Sequence, residues 1–387
     1  MKRCLAIFVV LNLAVNVVAD ERQIGASSPA RFSSSEISRL MTRLVKESKI
    51  AGAQVAVGSI DSPMILKSFG VQSVETNKPV DDDTRFCIGS CSKMFAAAVI
   101  LALESEGKLK LDVPIDHWLA EFSVLEIEGA GKAPRSPTLG ELLCHRSGIY
   151  TQRNRLTSTQ TRWIRDFKLS LSESVTGIGA ERLIARPGSR YAYSGAGYCV
   201  LGRVAEVAGE QPFDELLSRH VCRPLDLAAT SYFVPAGHDN VAVGHQLANG
   251  KLIVSKSTPH LLGNRHKLVL VGGSIYSPAR EAARFAQMMI GKGTLGERRV
   301  LSQSNWQQMT TARTSHDGGG YGFGVKIVTD KASGERSILS HGGALSGYFS
   351  YMLMDLRTKR FGVVHYTGGR HGPEVATALQ AWVSSPR

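Results

Sequence analysis

The sequence lacks several short motifs that mark common enzyme classes. It has no Gly-x-Ser-x-Gly turn, no His-Glu-x-x-His pair and no Walker loop for phosphate. These absences argue against an α/β-hydrolase, a metalloprotease of the His-Glu-x-x-His type and a P-loop nucleotide-binding protein. No Gly-x-Gly-x-x-Gly follows a strand at the head of a βαβ unit, and no internal repeat or low-complexity tract occurs. A dinucleotide-binding domain and a repeat fold are therefore also disfavoured.

Cysteine is scarce, and its spacing does not suit a metal. Cys87 and Cys91 are separated by three residues, and no His-x3-His companion stands near them. We expect the cysteines to be small buried hydrophobic residues, with a disulfide in an oxidising compartment as the alternative. A chain of 387 residues can bury a large core without disulfides. No metal or organic cofactor is implied.

Acidic residues are too few to balance the basic ones. The 33 Asp and Glu face 46 Lys and Arg, which leaves a formal net charge of +13. Such an excess suits three kinds of partner: nucleic acid, an anionic membrane or wall surface, or an acidic substrate. Composition alone does not choose among them.

The N-terminus narrows this choice. Lys2 and Arg3 precede an uncharged apolar run at 4–19, which ends in small residues and is followed by acidic ones. The pattern predicts a secretory signal peptide, residues 1–19, that is cleaved after Ala19. An uncleaved anchor helix is the alternative, but the run is shorter than the roughly 20 residues that a membrane span needs. We therefore predict a secreted or periplasmic protein with a flexible lead at 20–32 and no nucleic-acid partner.

Hydrophobic periodicity predicts an α+β fold. Apolar spacing predicts helices at about 37–45, 90–106, 138–146, 197–209, 212–220 and 373–384. Strand-type runs lie at 53–60, 64–71, 322–328, 336–342, 348–355 and 360–366. The close spacing of the last four runs favours antiparallel neighbours. We predict one antiparallel sheet flanked by helices and built from both chain ends, about 33–107 and 271–387, with a mostly helical insertion at about 108–270.

Two Ser-x-x-Lys sequences are candidates for nucleophilic chemistry. Ser105 and Lys108 lie at the end of a predicted helix, whereas Ser90 opens that helix and shares a face with Lys93. At a helix start, backbone N–H groups and the helix dipole favour a developing oxyanion and disfavour a protonated lysine. A neutral Lys93 could then activate the Ser90 hydroxyl. The alternative is a helix-capping serine followed by a solvated lysine.

Six segments of the chain, in order, carry a resemblance to a known family. They are RFCIGSCSKMFAAAVILALESEGKLKLD (85–112), TLGELLCHRSGI (138–149), PGSRYAYSGAGYCVLGRVAEVAG (187–209), VCRPLDLAATSY (221–232), VGGSIYSPAREAARFAQMM (271–289) and LSHGGALSGY (339–348). These segments resemble the serine β-lactamase-like family, which includes class C β-lactamases, D-alanyl-D-alanine carboxypeptidases and related esterases. The resemblance implies a β-lactamase/transpeptidase-like fold and a serine hydrolase domain over 33–387.

The resemblance also implies a role for each matching residue. Ser90 matches the acylated nucleophile, and Lys93 matches the lysine that hydrogen-bonds it. Tyr193 matches the tyrosine that acts as general base and then as acid to the leaving group. A tyrosine with a pKa of about 10 can be a base only where nearby cations stabilise its phenolate. Lys93 is such a cation, and we expect His341 to be a second one.

The third motif of the family matches His341-Gly342-Gly343. The resemblance places this stretch on a strand beside the serine and implies that Gly343 and Ala344 lie at the substrate. The backbone N–H groups of Ser90 and Ala344 would form the oxyanion hole. His145 matches a histidine that the family uses as scaffold.

Two positions depart from the family pattern and bear on the substrate. The second motif reads Tyr193-Ser194-Gly195, where the family usually has Asn at the third place to bind an amide of the substrate. Gly195 has no side chain and cannot donate. The third motif has His341 in place of Lys, as several esterases and peptidases of the family do. We predict hydrolysis of an ester or amide in a small-molecule or peptide acyl donor, of esterase or D-peptidase type rather than β-lactamase type.

Positive charge is concentrated between the nucleophile and the tyrosine motif. Residues 132–168 hold eight basic side chains, Lys132, Arg135, Arg146, Arg153, Arg155, Arg162, Arg165 and Lys168, against only Glu141 and Asp166. This segment predicts a basic funnel for an anionic acyl donor or wall polymer, and a solvated basic surface is the alternative. Three other functions stay open: a β-lactamase, a catalytically silent binding or scaffold protein on the same fold, and a basic cell-wall or membrane adhesin.

Overall fold

The computed structural model describes residues 34–152, 155–235, 237–316, 319–330 and 333–385. The predicted signal peptide and the flexible lead lie outside these residues, so both stay predictions. All statements below concern the described residues.

The described part of the chain alternates helices with short and long strands. The helices are α1 (Ser34–Lys46), α2 (Ser92–Ser105), α3 (Leu139–Leu143), α4 (Ser158–Arg165), α5 (Leu171–Gly179), α6 (Gly195–Gly209), α7 (Phe213–Leu217), α8 (Ala279–Ile290), α9 (Gln303–Met309) and α10 (Gly372–Ser384). The strands are β1 (Ile50–Ser59), β2 (Ser62–Gly70), β3 (Phe86–Cys87), β4 (Glu126–Ile127), β5 (Gly131–Lys132), β6 (His245–Ala248), β7 (Lys251–Val254), β8 (Tyr276–Ser277), β9 (Thr294–Leu295), β10 (Arg298–Arg299), β11 (Thr314–His316), β12 (Gly319–Tyr321), β13 (Lys326–Thr329), β14 (Arg336–Leu345), β15 (Tyr348–Asp355) and β16 (Arg360–Gly368). Short 3-10 turns lie at Gly89–Cys91, Ile115–His117, Ala120–Phe122 and Pro259–Arg265, and a π-type turn lies at Ser218–Cys222.

One antiparallel sheet of eight strands organises the fold. Its order is β11-β12-β13-β14-β15-β16-β1-β2. The N-terminal hairpin joins the C-terminal strands where β1 pairs with β16, with Val55 opposite Val364. The sheet is therefore built from both chain ends, and the predicted fold class is confirmed.

Both faces of this sheet are covered, because successive strand residues point to opposite sides. Val363 and Val364 are both fully buried, one in each of two hydrophobic cores. The smaller core packs α1 and α10 against one face, with Leu379 at its centre. The larger core lies on the other face around α2 and α8. The nucleophile helix is thus held in the largest apolar cluster of the described chain.

The middle of the chain shares this larger core. Leu101 of α2, Val204 of α6, Leu216 of α7 and Phe285 of α8 belong to one continuous buried cluster. The helices predicted at 138–146, 197–209 and 212–220 correspond to α3, α6 and α7, whereas the short hairpins β4–β5 and β6–β7 were not predicted. The proposed division into a sheet part and a helical insertion stays a prediction.

The strand predicted at 322–328 is wrong over its first half. Strand β13 begins only at Lys326, and residues 322–325 form a tight turn closed by the Gly322 N–H and the Val325 carbonyl at 2.9 Å. Gly324 has a φ of +72°, and a side chain there would collide with the Lys93 carbonyl. The turn exists because the backbone must pass close to the start of α2, which a run of apolar letters does not reveal.

Gly324→Ala should destabilise the protein more than Gly334→Ala. Both glycines have a φ of +72°, but a side chain at Gly334 meets nothing within 4 Å. We expect Gly334→Ala to lower the free energy of unfolding by about 1–2 kcal/mol, the cost of a left-handed residue. Gly324→Ala should lose about 1–3 kcal/mol more through overpacking. Urea denaturation measures both, and equal losses would contradict the close packing of this turn on α2.

Candidate active site

Ser90 lies where the chain turns from strand β3 into helix α2. The turn Gly89–Cys91 is a 3-10 turn, and Gly89 has a φ of +53°. A side chain at Gly89 would collide with the Ala344 amide nitrogen, and one at Gly343 would come within 3.0 Å of the Ser90 amide nitrogen. The two glycines thus let strand β14 lie directly against the nucleophile turn. This brings the two amides of the predicted oxyanion hole to one place, beside a half-buried Ser90 and an exposed Ala344.

The Lys93 ammonium group connects the serine to the loop before α8. Lys93 Nζ lies 3.3 Å from Ser90 Oγ and 2.8 Å from the Gly272 carbonyl oxygen, and Lys93 is only 2% exposed. A side chain at position 272 would come within 3.0 Å of that nitrogen, so glycine leaves room for the lysine. Lys93 is therefore a buried partner of Ser90, not the solvated lysine of the alternative interpretation.

Burial changes the protonation of this lysine. The pKa of Lys93 falls to about 7, mainly through burial and in smaller part through the like charge of Arg165. Removal from water disfavours the charged ammonium, and no carboxylate is among the groups whose charge acts on it. Near neutral pH a large fraction of Lys93 is a free amine, which can accept the proton of the Ser90 hydroxyl.

Tyr193 joins this pair from the start of helix α6. Its ring centroid lies 4.7 Å from Lys93 Nζ, and that of Tyr198 lies 5.1 Å from the same atom. Ser194 caps α6 by accepting a hydrogen bond from the Gly197 N–H at 3.0 Å, which fixes the turn that carries Tyr193. The structure therefore brings together Ser90, Lys93 and Tyr193, which are 103 positions apart at the extremes in sequence.

The second Ser-x-x-Lys sequence has a different environment. Ser105 is the last residue of α2, and its hydroxyl accepts a hydrogen bond from the Asn305 amide at 2.7 Å. Lys108 pairs with Glu106 at 3.7 Å on the surface. This serine and lysine are structural, which agrees with the preference for Ser90.

His341 lies at the site but does not supply the positive charge that we expected. It is 3% exposed, and burial together with the charge of Lys93 lowers its pKa to about 3. His341 is therefore neutral at physiological pH, and the expectation of a second cation is wrong. The physical reason is that a charged imidazole would be buried beside an already buried ammonium group.

Tyr321 is a buried residue of the site that the sequence analysis missed. Its hydroxyl lies 3.0 Å from His341 Nε2 and 3.3 Å from His145 Nε2. His145 in turn packs its ring 4.3 Å from that of Tyr193, centroid to centroid, and accepts a hydrogen bond from the Ser194 N–H at 3.1 Å. The available signal was a tyrosine embedded in the glycine-rich run at 319–324.

Gln152 was also missed, and it alters the meaning of Gly195. The Gly195 N–H donates to Gln152 Oε1 at 2.7 Å, and a side chain at 195 would collide with Gln152 Nε2. The amide of Gln152 thus occupies the space that a side chain of residue 195 would use. Among the described residues, Nε2 has no hydrogen-bond partner. Gly195 itself cannot donate from a side chain, as expected, but an amide from another segment lies at this position.

Two arginines of the predicted basic segment have partners within the protein, and the funnel itself stays a prediction. Arg135 forms a two-pronged ion pair with Glu141, at 2.8 Å and 2.5 Å, and Arg146 donates to the Gly188 carbonyl. Arg153 lies outside the described residues. Part of the positive charge is therefore used in holding the segment together.

The described part of the chain also lacks a metal centre and a membrane-spanning helix. No group of His, Cys, Asp and Glu side chains there could hold a metal ion. The described cysteines are all buried and form no disulfide: Cys87, Cys91, Cys144, Cys199 and Cys222. No described helix has both the length and the apolar character needed to cross a membrane.

Comparison with known proteins places this architecture in a family. The family model described as Beta-lactamase matches residues 37–383. An uncharacterized protein of Mycobacterium tuberculosis, MT1414, is 25% identical over 330 residues, which are 78% of this chain and 80% of that protein. Esterase EstB of Burkholderia gladioli is 30% identical over 207 residues, which are 51% of each chain.

A solved structure gives the same result for the fold. EstCE1, described as a hydrolase with promiscuous acyltransferase activity, superimposes with a TM-score of 0.78 at 19% identity, over 90% of this chain and 98% of that one. At this identity the likeness concerns the fold alone. The family match over most of the chain decides the classification: the protein belongs to the Beta-lactamase family of serine hydrolases.

Proposed function

We propose that this protein is a serine hydrolase that cleaves an ester or an amide through an acyl-enzyme on Ser90. The proposal rests on the contact between Lys93 Nζ and Ser90 Oγ, which are 3.3 Å apart. Burial lowers the pKa of this lysine to about 7. A lysine that is largely neutral and in contact with a serine hydroxyl is a general base for that hydroxyl.

Each step of the proposed reaction uses groups of this site. Lys93 accepts the hydroxyl proton while Ser90 Oγ forms a bond to the acyl carbon. The N–H groups of Ser90 and Ala344 stabilise the resulting oxyanion. The bond to the leaving group then breaks, and the proton returns to that group by way of Tyr193, whose ring lies over Lys93. Water repeats the sequence on the acyl-enzyme, which releases the acid and restores Ser90.

The Gln152 amide can donate a hydrogen bond, which favours substrates that carry a carbonyl acceptor near the scissile bond. Its Oε1 is held by the Gly195 N–H, so its Nε2 donors have a defined direction. Peptide-like amides and esters both supply such an acceptor. The proposal therefore keeps the esterase and D-peptidase types together, and the neutral His341 still disfavours the β-lactamase type.

Arg165 supports the proposal that the acyl donor is anionic. Arg165 is the last residue of α4. Two residues later, the Phe167 carbonyl accepts hydrogen bonds from the backbone N–H groups of Lys267 and Leu268, at 2.8 Å and 3.2 Å. From Leu268 the chain continues to Gly272, whose carbonyl binds Lys93. Arg165 is exposed, and its positive charge acts on Lys93, whose pKa it lowers. Among the described residues it has no hydrogen-bond or ion-pair partner. A donor carboxylate would supply the missing negative charge.

Export and association with an anionic cell-wall or membrane surface are part of the same proposal. They rest on the apolar run at 4–19 and on the net charge of +13. The positive charge would then act outside the cytoplasm, where wall polymers and acidic peptides are the available anions.

A labelled fluorophosphonate or penicillin should modify Ser90 and no other serine. We expect Ser90→Ala to abolish both labelling and the hydrolysis of p-nitrophenyl esters. Ser105→Ala removes the other serine of the Ser-x-x-Lys type and should leave both unchanged. Mass spectrometry of the intact and digested protein locates the label. An unlabelled wild-type protein without turnover would instead favour the catalytically silent binding protein.

The value of kcat/KM should rise with pH through a midpoint of about 7. Below this pH Lys93 is protonated and cannot accept the serine proton, and above it the amine is free. Removal of the like charge in Arg165→Gln should let the pKa of Lys93 rise, so the midpoint should move to higher pH. Initial rates with a neutral ester between pH 5 and pH 9 measure the midpoint. A rate that falls with pH over this range would contradict the base role.

Arg165→Gln should raise KM for acidic acyl donors several-fold and change KM for neutral donors much less. Arg162→Gln is the matched control, because Arg162 lies on the same short helix. Its guanidinium lies over the Trp163 ring, 5.2 Å from the ring centroid. We expect this control to leave both classes of donor unchanged. Steady-state kinetics with paired esters that differ by one carboxylate supply the test. Equal changes for both donors in Arg165→Gln would remove the support for an anionic substrate.

A further inference from the structure

A buried hydrogen-bonded chain connects two sides of the site through His145, Tyr321 and His341. The Tyr321 hydroxyl lies 3.3 Å from His145 Nε2 and 3.0 Å from His341 Nε2. The three side chains are at most 3% exposed. Buried polar groups must find their partners within the protein, so the position of every proton in this chain matters.

The outer contacts determine which ring nitrogen carries a proton. The Ser194 N–H donates to His145 Nδ1 at 3.1 Å, so Nδ1 is bare and Nε2 carries the proton of His145. His341 Nδ1 lies 2.7 Å from the Gly342 carbonyl oxygen, which can only accept, so Nδ1 carries the proton of His341 and its Nε2 is bare. The low pKa of His341 excludes a second proton on that ring at neutral pH.

The Tyr321 hydroxyl then has one arrangement that satisfies both neighbours. It accepts a hydrogen bond from His145 Nε2–H and donates its own proton to His341 Nε2. Burial raises the pKa of Tyr321 well above its usual value, so this proton stays in place. The Tyr198 hydroxyl is a further hydrogen-bond neighbour of Tyr321, but it donates its own proton to the Leu143 carbonyl at 2.9 Å and therefore does not donate to Tyr321.

Both ends of the chain are next to groups of the proposed mechanism. It begins at the backbone of Ser194, directly after Tyr193, and it ends at the carbonyl of Gly342, directly before Gly343 and Ala344. We infer that Tyr321 is a positioning residue that bridges His145 and His341, whose backbone contacts set opposite tautomers, and thereby keeps Tyr193 and the Gly343–Ala344 amides in register. The tautomers follow from the contacts alone, whereas the effect on turnover rests on the proposed function.

The tautomers can be measured directly by nitrogen NMR of the histidine rings in the full-length protein. The wild-type spectrum should show His145 with its proton on Nε2 and His341 with its proton on Nδ1, from pH 5 to pH 8. The sequence has 11 histidines, so loss of one set of signals in His341→Asn assigns that ring, and His145→Asn assigns the other. Tyr321→Phe should leave both tautomers in place, because the backbone contacts set them, and should shift the Nε2 resonance of His341, because that atom loses its hydrogen-bond donor. Identical tautomers for the two histidines in the wild-type protein would overturn the inference.

Kinetics separate positioning from a purely structural role. Tyr321→Phe should lower kcat on the order of 10- to 100-fold, the scale of a small misplacement of reacting groups, with little change in KM. Tyr348→Phe is the matched control: Tyr348 is fully buried, and its hydroxyl donates to the Ala242 carbonyl at 2.7 Å and lies 3.3 Å from His260. We expect this control to lower the free energy of unfolding and to leave kcat per folded molecule unchanged.

The outcomes of the two measurements are distinguishable. An equal change of kcat in both tyrosine variants would overturn the positioning role. If Tyr321→Phe fails to fold, the wild-type spectrum still decides the tautomers. A wild-type protein that shows the two tautomers but takes no label at Ser90 would refute the proposed hydrolase function and support the tautomer assignment.

Discussion

The burial of one amine, that of Lys93, determines most of what this site can do. In water a lysine is a cation and a poor base, whereas at 2% exposure its pKa falls to about 7. Its remaining polar contacts are with two oxygens, Ser90 Oγ and the Gly272 carbonyl, and no carboxylate acts on it. The proposed base role of Lys93 depends on this buried environment and not on a charged partner.

The rest of the site follows from packing around that amine. Gly89 in the turn before α2, together with glycines at 272, 324 and 343, lets three backbone segments approach the start of α2, where side chains would collide. The histidine of the third motif must then be neutral, because a second buried cation beside Lys93 would be costly. Tyr321 completes the arrangement by giving that neutral imidazole a hydrogen-bond partner. The proposed recognition of an acidic acyl donor would fall to Arg165, which is exposed at the end of α4.

Hydrophobic periodicity predicted the elements whose side chains face a core. The helix at 90–106, the hairpin of β1 and β2 and the strands β14 to β16 agree with the structure to within a few residues. The prediction was wrong at 322–325, where a close backbone contact overrides the strand-like pattern. It also omitted Gln152, because a glutamine in a loop has no periodic or motif signal. That side chain nevertheless supplies the amide that Gly195 cannot.

By itself the sequence determined the fold class and the candidates Ser90, Lys93 and Tyr193, because residue spacing and recurring motifs are local properties. Only the tertiary structure decided that Lys93 is buried, that His341 is neutral and that Tyr321 lies between two histidines. The reason is that a pKa and a tautomer depend on the dielectric surroundings and on hydrogen-bond partners. These partners come from segments up to about 180 residues away, such as Gly272 for Lys93. The same holds for the net charge of +13: packing and not composition shows that the charge of Arg165 acts on Lys93.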